Sequence, residues 1–167
     1  MVNEGLPPLF GHKSGVLILG SFPSEESLRC REYYANPRNQ FWRLMGALFG
    51  AHFELSYRRR CDVLQERQVA LWDVLHTCER DGSLDNAIVG RTALINDIPA
   101  FLALHPSVRV IGLNGKTATN YFSKKFPTLG SPHLQIVALP SSSSAHAAMT
   151  FDKKVQAWSI LQDFARM

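Results

Sequence analysis

The residues of this 167-residue chain that offer the most chemistry are amides, hydroxyls and aromatics gathered behind short apolar runs. Tyr34, Asn36 and Asn39 follow the run 16–19 by way of the turn Gly20-Ser21-Phe22-Pro23-Ser24. Asn114-Gly115 closes the run 108–113, and Ser141-Ser142-Ser143-Ser144 with His146 follows the run 135–139. Carboxylates are few in these stretches. Such groups suit a flat, neutral, hydrogen-bonding ligand such as a nucleobase, which stacks on Tyr34 or Phe22 while side-chain amides meet its edge. Other chemistries fit less well. The first turn lacks the further glycines of a dinucleotide fingerprint, and Gly115-Lys116-Thr117 imitates only the tail of a phosphate-binding loop. No Gly-x-Ser-x-Gly elbow is present. Cys30, Cys61 and Cys78 form no Cys-x-x-Cys pair, and His133 and His146 stand alone, so neither a metal nor a cofactor is expected.

The elements that must position these groups follow from hydrophobic patterning. Residues 16–19, 69–75, 108–113 and 135–139 are short apolar runs of the kind buried on both faces of a sheet. Helical spacing of apolar residues predicts helices over 39–49, with Phe41, Leu44, Met45, Leu48 and Phe49 on one face, and over 96–105, which Pro106 ends. Further helices are expected over 56–64, 116–125 and 151–167, the last burying Val155, Trp158, Leu161 and Phe164. Strands alternating with helices predict a three-layer α/β/α sandwich with a short, mainly parallel four-stranded sheet. Pro7-Pro8 and Gly11 make residues 1–14 a loose N-terminal arm, leaving 15–167 as a single domain. The polar loops 21–39, 73–86, 114–115 and 141–146 then meet at the edge where open α/β sheets place their ligands.

Composition bounds the partners. The chain is 46% hydrophobic and 19% charged, the balance of an ordinary globular protein. Its net charge of +4 and pI near 9.2 favour an acidic partner, nucleic acid first, although such an excess of Lys and Arg also serves solubility. Arg58-Arg59-Arg60 reads either as a solvated helix face or as a phosphate contact. Scattered free thiols, no signal peptide and no membrane-length apolar run point to a soluble intracellular, cytoplasmic protein.

These residues also carry a family resemblance. Gly20-Ser21-Phe22-Pro23, followed by Tyr34-Ala35-Asn36-Pro37-Arg38-Asn39-Gln40-Phe41-Trp42, resembles the first motif region of the uracil-DNA glycosylase superfamily. It is close to the His-Pro-x-Asn-x-Phe-Trp segment of the mismatch-specific uracil glycosylases. The likeness is stronger to the hypoxanthine-DNA glycosylase branch, which pairs Tyr-Tyr-x-x-Pro-x-Asn-x-Phe-Trp with Leu-Trp-Asp-Val-Leu, a strand-end Asn-Gly and a Leu-Pro-Ser-Thr-Ser-Pro-Ala loop. Here those segments are residues 33–42, 71–75, 114–115 and 139–145. The resemblance runs over roughly residues 16–158.

The resemblance implies specific roles. Many members place a catalytic Asp or Asn two residues after the first Gly of the turn, where this chain has Phe22. In the hypoxanthine branch catalysis passes to the motif asparagine, here Asn39, whose amide oxygen can orient a water toward the sugar C1′. Asn39 also sits where a helix N-cap belongs. Tyr34 aligns with the aromatic that stacks on the flipped base. Asn114 is the implied base-edge contact, although Asn-Gly is also a common turn. Phe41 and Trp42 are core anchors. Ser141, Ser142, Ser143, Ser144 and His146 form the loop that presses into the minor groove, with Ser144 standing where the branch has Pro and so loosening the loop. For His146, phosphate contact, leaving-group stabilisation and simple exposure all stay open.

The implied function is a monofunctional, cofactor-free DNA glycosylase that removes a deaminated base, hypoxanthine before uracil. No Lys is placed to form a Schiff base, and Lys116 faces phosphate or solvent. The expected partner is DNA containing deoxyinosine or deoxyuridine, bound by a monomer. A uracil- or mismatch-specific glycosylase, a non-catalytic DNA-binding module and a nucleoside hydrolase are the alternatives.

Overall fold

The computed structural model describes residues 1–146 and 148–166. Its centre is a parallel sheet in the order β3-β2-β6-β7, formed by β2 (Val16–Gly20), β3 (Val69–Asp73), β6 (Val110–Asn114) and β7 (Gln135–Leu139). The alternation of side chains along a strand divides these runs between two cores. Val16, Ile18, Val69, Leu71 and Val110 face one way, onto α2 (Phe41–Phe49), α3 (Tyr57–Glu66) and α6 (Phe151–Trp158). Leu17, Leu19, Ala70, Ile111 and Leu113 face the other, onto α4 (Ile98–Leu104) and α5 (Lys116–Lys125). β2, β3 and β6 are covered on both faces, which is why they read as unbroken apolar runs rather than as alternating ones, whereas the edge strand β7 is exposed at Gln135 and Ala138. The three-layer α/β/α sandwich expected from the sequence is present.

Helix α2 shows how the sequence fixes one layer. Phe41, Leu44, Met45, Leu48 and Phe49 are buried, while Arg43 and Ala47 are exposed. Gly50 ends the helix in the left-handed conformation at φ 80°, its N–H donating back to the Gly46 carbonyl. Phe41 packs edge-on against both Trp42 and Trp158, so the start of α2 is welded to α6. Among the described residues no helix is long and apolar enough to cross a membrane.

Four departures from the sequence expectation matter. Residues 1–14 are not a loose arm. β1 (Val2–Glu4) pairs antiparallel with β4 (Leu75–Glu79), Leu9 exchanges two backbone hydrogen bonds with Leu71, and Leu6 is buried. The prolines lie between these attachments without preventing them. The predicted strand 69–75 divides at Val74 into β3 and β4, and β4 with β1 and β5 (Leu94–Ile95) makes a second, antiparallel sheet. The segment before the Tyr-Tyr motif holds a short helix, α1 (Glu25–Cys30), whose Ser24 side chain accepts from the Ser27 N–H. A serine before two glutamates is a helix-start pattern visible in the sequence. The closing helix also stops earlier than 167, passing into a 3-10 turn over Ser159–Phe164.

Leu44 lies fully buried on the α2 face. Leu44→Ala is expected to lower stability by about 2–5 kcal/mol, read from urea unfolding midpoints at an unchanged m-value.

Candidate active site

Four segments meet beyond the C-terminal ends of the central strands and line a cavity of about 850 Å³. They are 20–24 with 33–39, 73 with 83–86, 114–119, and 138–146. The two middle strands, β2 and β6, lead off to opposite sides at this point, the arrangement that opens a crevice in such sheets. Tyr34, Asn36, Asn39, Asn114 and the serine run all line it, as does Phe22.

Asn114 is the hub. Its Nδ2 donates to the Tyr34 hydroxyl at 3.0 Å and to Ser142 Oγ at 2.9 Å, and its Oδ1 accepts from the Ser142 N–H at 2.9 Å. Both amide hydrogens are therefore used within the protein, and Asn114 would have to release one to donate to a base. Gly115 makes the close approach possible. It holds φ 91°, and a Cβ there would stand 3.0 Å from the Ser141 Cβ.

Tyr34 is fixed on two sides. Its ring stacks on Phe41 with centroids 3.8 Å apart and planes 14° apart, and its hydroxyl is held by Asn114. Its backbone sits at φ 54°, an unusual conformation for an aromatic residue that turns the ring under the helix start. Burial pushes its phenol well above the ordinary range, so it stays neutral. Phe22 is a different kind of neighbour. Only 6% of its surface is exposed, it packs with Leu75 and Cys78, and the Arg80 guanidinium lies 5.2 Å from its ring centre.

Asn39 is not the N-cap itself, which is Gln40 with no side-chain cap bond, but it bonds the first N–H of α2 from one residue before the cap. Its Oδ1 accepts from the Phe41 N–H at 2.9 Å, which also fixes the amide orientation, since the reversed amide would set two donors face to face. One lone pair on Oδ1 and the Nδ2 hydrogens have no bonding partner among the described residues, and the side chain lines the cavity. The next residue is tied down as well. Gln40 N–H donates to the Ser142 carbonyl at 2.9 Å, and its Oε1 accepts from the buried Lys154 ammonium at 2.9 Å.

The serine loop is organised from within. Ser142 is fully buried, so the surface the loop offers consists of Ser141, Ser143, Ser144, Ala145 and His146. Ser141 Oγ accepts from the Ser143 N–H, Ser143 Oγ from the Ala145 N–H, and the Ser143 carbonyl from the His146 N–H. Trp158 Nε1 donates to the Pro140 carbonyl at the loop's entry. Among the described residues no three His, Cys, Asp or Glu side chains come together to hold a metal ion.

Two residues that sequence reasoning passed over complete the site. Arg80 is buried and donates to the carbonyls of Phe22, Pro23 and Gly82, locking the first turn from below. Asp73 ends β3 opposite Gly20 and is 4% exposed, with its Oδ2 buried and unpaired among the described residues. Burial raises its acid to about 7, helped by nearby Asp85 and opposed by Arg80. The visible signal was a lone carboxylate inside the apolar run Leu71-Trp72-Asp73-Val74-Leu75, which no packing argument explains.

The fold and this constellation define a class. A family model described as the uracil DNA glycosylase superfamily matches residues 7–163, and the chain belongs to that superfamily. Among curated relatives it is 36% identical over 147 residues to a hypoxanthine DNA glycosylase of Methanosarcina acetivorans, covering 87% of this chain and 89% of that one. A hypoxanthine DNA glycosylase of Methanosarcina barkeri is 32% identical with the same coverage. The solution NMR structure of a candidate uracil DNA glycosylase from Methanosarcina acetivorans superposes with a TM-score of 0.82 at 31% identity, covering 98% of this chain and 99% of that one.

Two outcomes follow from the geometry. A Cβ on Gly20 would meet Asp73 Oδ1 at 2.5 Å and the Tyr34 hydroxyl at 2.9 Å, so Gly20→Ala is expected to displace both groups and cut ligand binding while the protein stays folded by circular dichroism. For Asp73, the folded-state value of about 7 lies above the ordinary 3.8, so the folded protein holds the extra proton between those values. Stability contributed by this group is therefore present at low pH and lost as pH rises toward 7. Asp73→Asn is expected to gain on the wild type in urea midpoint between pH 4 and pH 8.

Proposed function

We propose that the protein is a monofunctional DNA glycosylase that hydrolyses the N-glycosidic bond of a deaminated base flipped out of the helix, with hypoxanthine preferred to uracil. On this reading it acts inside the cell as a monomer, on DNA containing deoxyinosine or deoxyuridine. The observation that carries the reading is the convergence of Tyr34, Asn39 and Asn114 on one cavity, with a partly exposed serine loop at its mouth. The names of the two Methanosarcina relatives support the choice of base.

The chemistry assigns each group a task. A base entering the cavity lies along Tyr34, whose ring cannot swing away because Phe41 backs it. As the C1′–N bond lengthens, positive character grows on the sugar and the bond's electrons move onto the base. Donors aimed at the base are favoured in that state more than in the ground state. Asn39 uses its free Oδ1 lone pair to hold a water against C1′ while its first lone pair stays on the Phe41 N–H. The water oxygen bonds to C1′, the C1′–N bond breaks, and the proton lost by the water leaves with solvent or the base. An amide is too weak a base to take that proton, so Asn39 contributes by position. Ser143, Ser144 and His146 at the mouth meet the DNA backbone, and Lys116 adds a cation at the rim.

The test is single-turnover incubation of duplexes carrying one deoxyinosine or one deoxyuridine, scored by alkali-labile strand cleavage, with free deoxyinosine alongside. Base release from the duplex and not from the nucleoside is expected. Salt-sensitive binding without release would leave a DNA-binding module, and release from the free nucleoside would leave a nucleoside hydrolase. Asn39→Ala is expected to lose roughly 100-fold or more in excision rate. A rate near that of the wild type would return Asn39 to bonding the start of α2 alone.

A further inference from the structure

Among the described residues, Tyr34 is the one non-glycine residue of the cavity lining with a positive φ. At 54° it lies in the left-handed region, where a bulky side chain is an outlier and the backbone is strained. The stacking on Phe41 and the bond to Asn114 place the ring only while the backbone keeps that conformation. A rotation to negative φ would carry the ring off Phe41 and away from the wall it forms. Whatever holds this turn is therefore part of the site.

The two torsions of Tyr34 are set by the peptide groups on either side of it, and each is gripped by a side chain from another element. The Tyr33 carbonyl, before it, accepts from Trp42 Nε1 at 2.9 Å. The Ala35 N–H, after it, donates to Ser27 Oγ at 3.1 Å. Ser27 lies on α1 and is 1% exposed, and its oxygen also accepts from the Ser24 hydroxyl at 3.0 Å. One peptide further back, the Tyr33 N–H donates to the Tyr57 hydroxyl at 3.0 Å, and the Tyr33 hydroxyl donates to the Pro7 carbonyl at 2.8 Å. Trp42 is braced in turn. Tyr57 meets it edge-on at 5.9 Å, and the Arg60 guanidinium lies 4.5 Å from its ring centre. The arginine run on α3 thus divides, Arg59 pairing with Glu66 at the surface and Arg60 backing the aromatic side of this clamp. Ser27 borders the cavity with its oxygen turned to the backbone, while Trp42 and Tyr57 lie outside the lining.

We propose that Ser27 and Tyr57 are positioning residues for the flipped base. Their hydroxyls, with Trp42 Nε1, hold the chain on both sides of Tyr34 in the left-handed turn that sets its ring against Phe41 before any base arrives. They touch no reacting atom and move no proton. Their effect on the reaction passes through Tyr34, because a base that stacks on a preformed surface does not have to order it. This role rests on the glycosylase reading above, in which the flipped base lies along Tyr34.

The experiment uses Ser27→Ala and Tyr57→Phe, each of which removes one hydroxyl, with Tyr34 intact and with Tyr34→Ala. Single-turnover excision from a deoxyinosine duplex is measured at saturating enzyme, beside equilibrium binding to an undamaged duplex. With Tyr34 intact, Ser27→Ala is expected to slow excision about tenfold and Tyr57→Phe about threefold, changes of the size one hydrogen bond supplies. Binding to the undamaged duplex, which places no base on Tyr34, stays at the wild-type level. With Tyr34→Ala in place, neither substitution slows the reaction further, because the surface it holds is gone. Excision unchanged by both substitutions would overturn the proposal. So would an equal slowing with and without Tyr34, which is how a general loss of structure behaves. Ser27 is buried, and should Ser27→Ala not fold, Tyr57→Phe carries the same comparison alone. The ring contact is followed separately as nuclear Overhauser cross-peaks between Tyr34 and Phe41, expected in the wild type and weakened in both variants. If the wild type releases no base, the glycosylase reading fails and these cross-peaks decide the clamp: their loss in the variants supports it, and cross-peaks intact in both variants sink it.

Discussion

One side-chain amide holds this site together. Asn114 stands at the end of β6 and joins Tyr34, from the loop after β2, to Ser142, from the loop after β7. Three of the four strand-end segments that line the cavity are thus bound through a single residue, by hydrogen bonds that are largely screened from water. In so shielded a setting each bond is stronger than at the surface, and each is costly to leave unmade. The remaining contacts reinforce the same closure. Gly115 lets Ser141 approach, Phe41 backs Tyr34, and Gln40 reaches across to the Ser142 carbonyl.

Around this hub the polar groups are sorted by whether they are already satisfied. Asn114 and Ser142 are committed to the protein and form walls. Asn39 is half committed, its oxygen bonded to the α2 N-terminus yet still able to hold a water. Asp73 is uncommitted. A cavity arranged in this way distinguishes ligands by hydrogen-bond pattern and shape, because its inner surface presents neutral groups. On the proposed reading, attraction to a polyanion falls instead to the Lys116 ammonium at the rim and to a net charge of +4 over the whole chain. Recognition and attraction are carried by different residues.

The central sheet was legible in the sequence because its physics is local. Strands buried on both faces must be apolar throughout, and residues 16–19 and 110–113 say so directly, while 135–139 form an edge strand left exposed at Gln135 and Ala138. Helix α5 was equally plain, running from Lys116 to Lys125 as its pattern indicates. The second sheet was hidden because it depends on pairing between residues 2–4 and 75–79, and nothing in either segment announces the other. The site divided along the same line. Tyr34, Asn39, Asn114 and the serine run stood out because they sit in recognisable motifs at strand ends. Asp73 was inside one of those motifs and Arg80 just beyond it. Their importance comes from burial and from missing or made hydrogen bonds, which a linear pattern does not display. Ser142 could not be told from its three serine neighbours until the fold turned it inward.

Helix α6 closes the cavity from behind, although it contributes no residue to the lining. Lys154 holds Gln40 beside Asn39, and Trp158 holds the Pro140 carbonyl at the root of the serine loop. Chain order gives this a further consequence. All four central strands precede residue 150, so α6 comes last to a sheet already complete in sequence and braces a junction that Asn114 and Gln40 make without it. Loss of α6 would leave Tyr34 and Ser142 joined through Asn114 but remove the side chains that hold Gln40 and the Pro140 carbonyl, so the cavity would loosen at its edges before its centre.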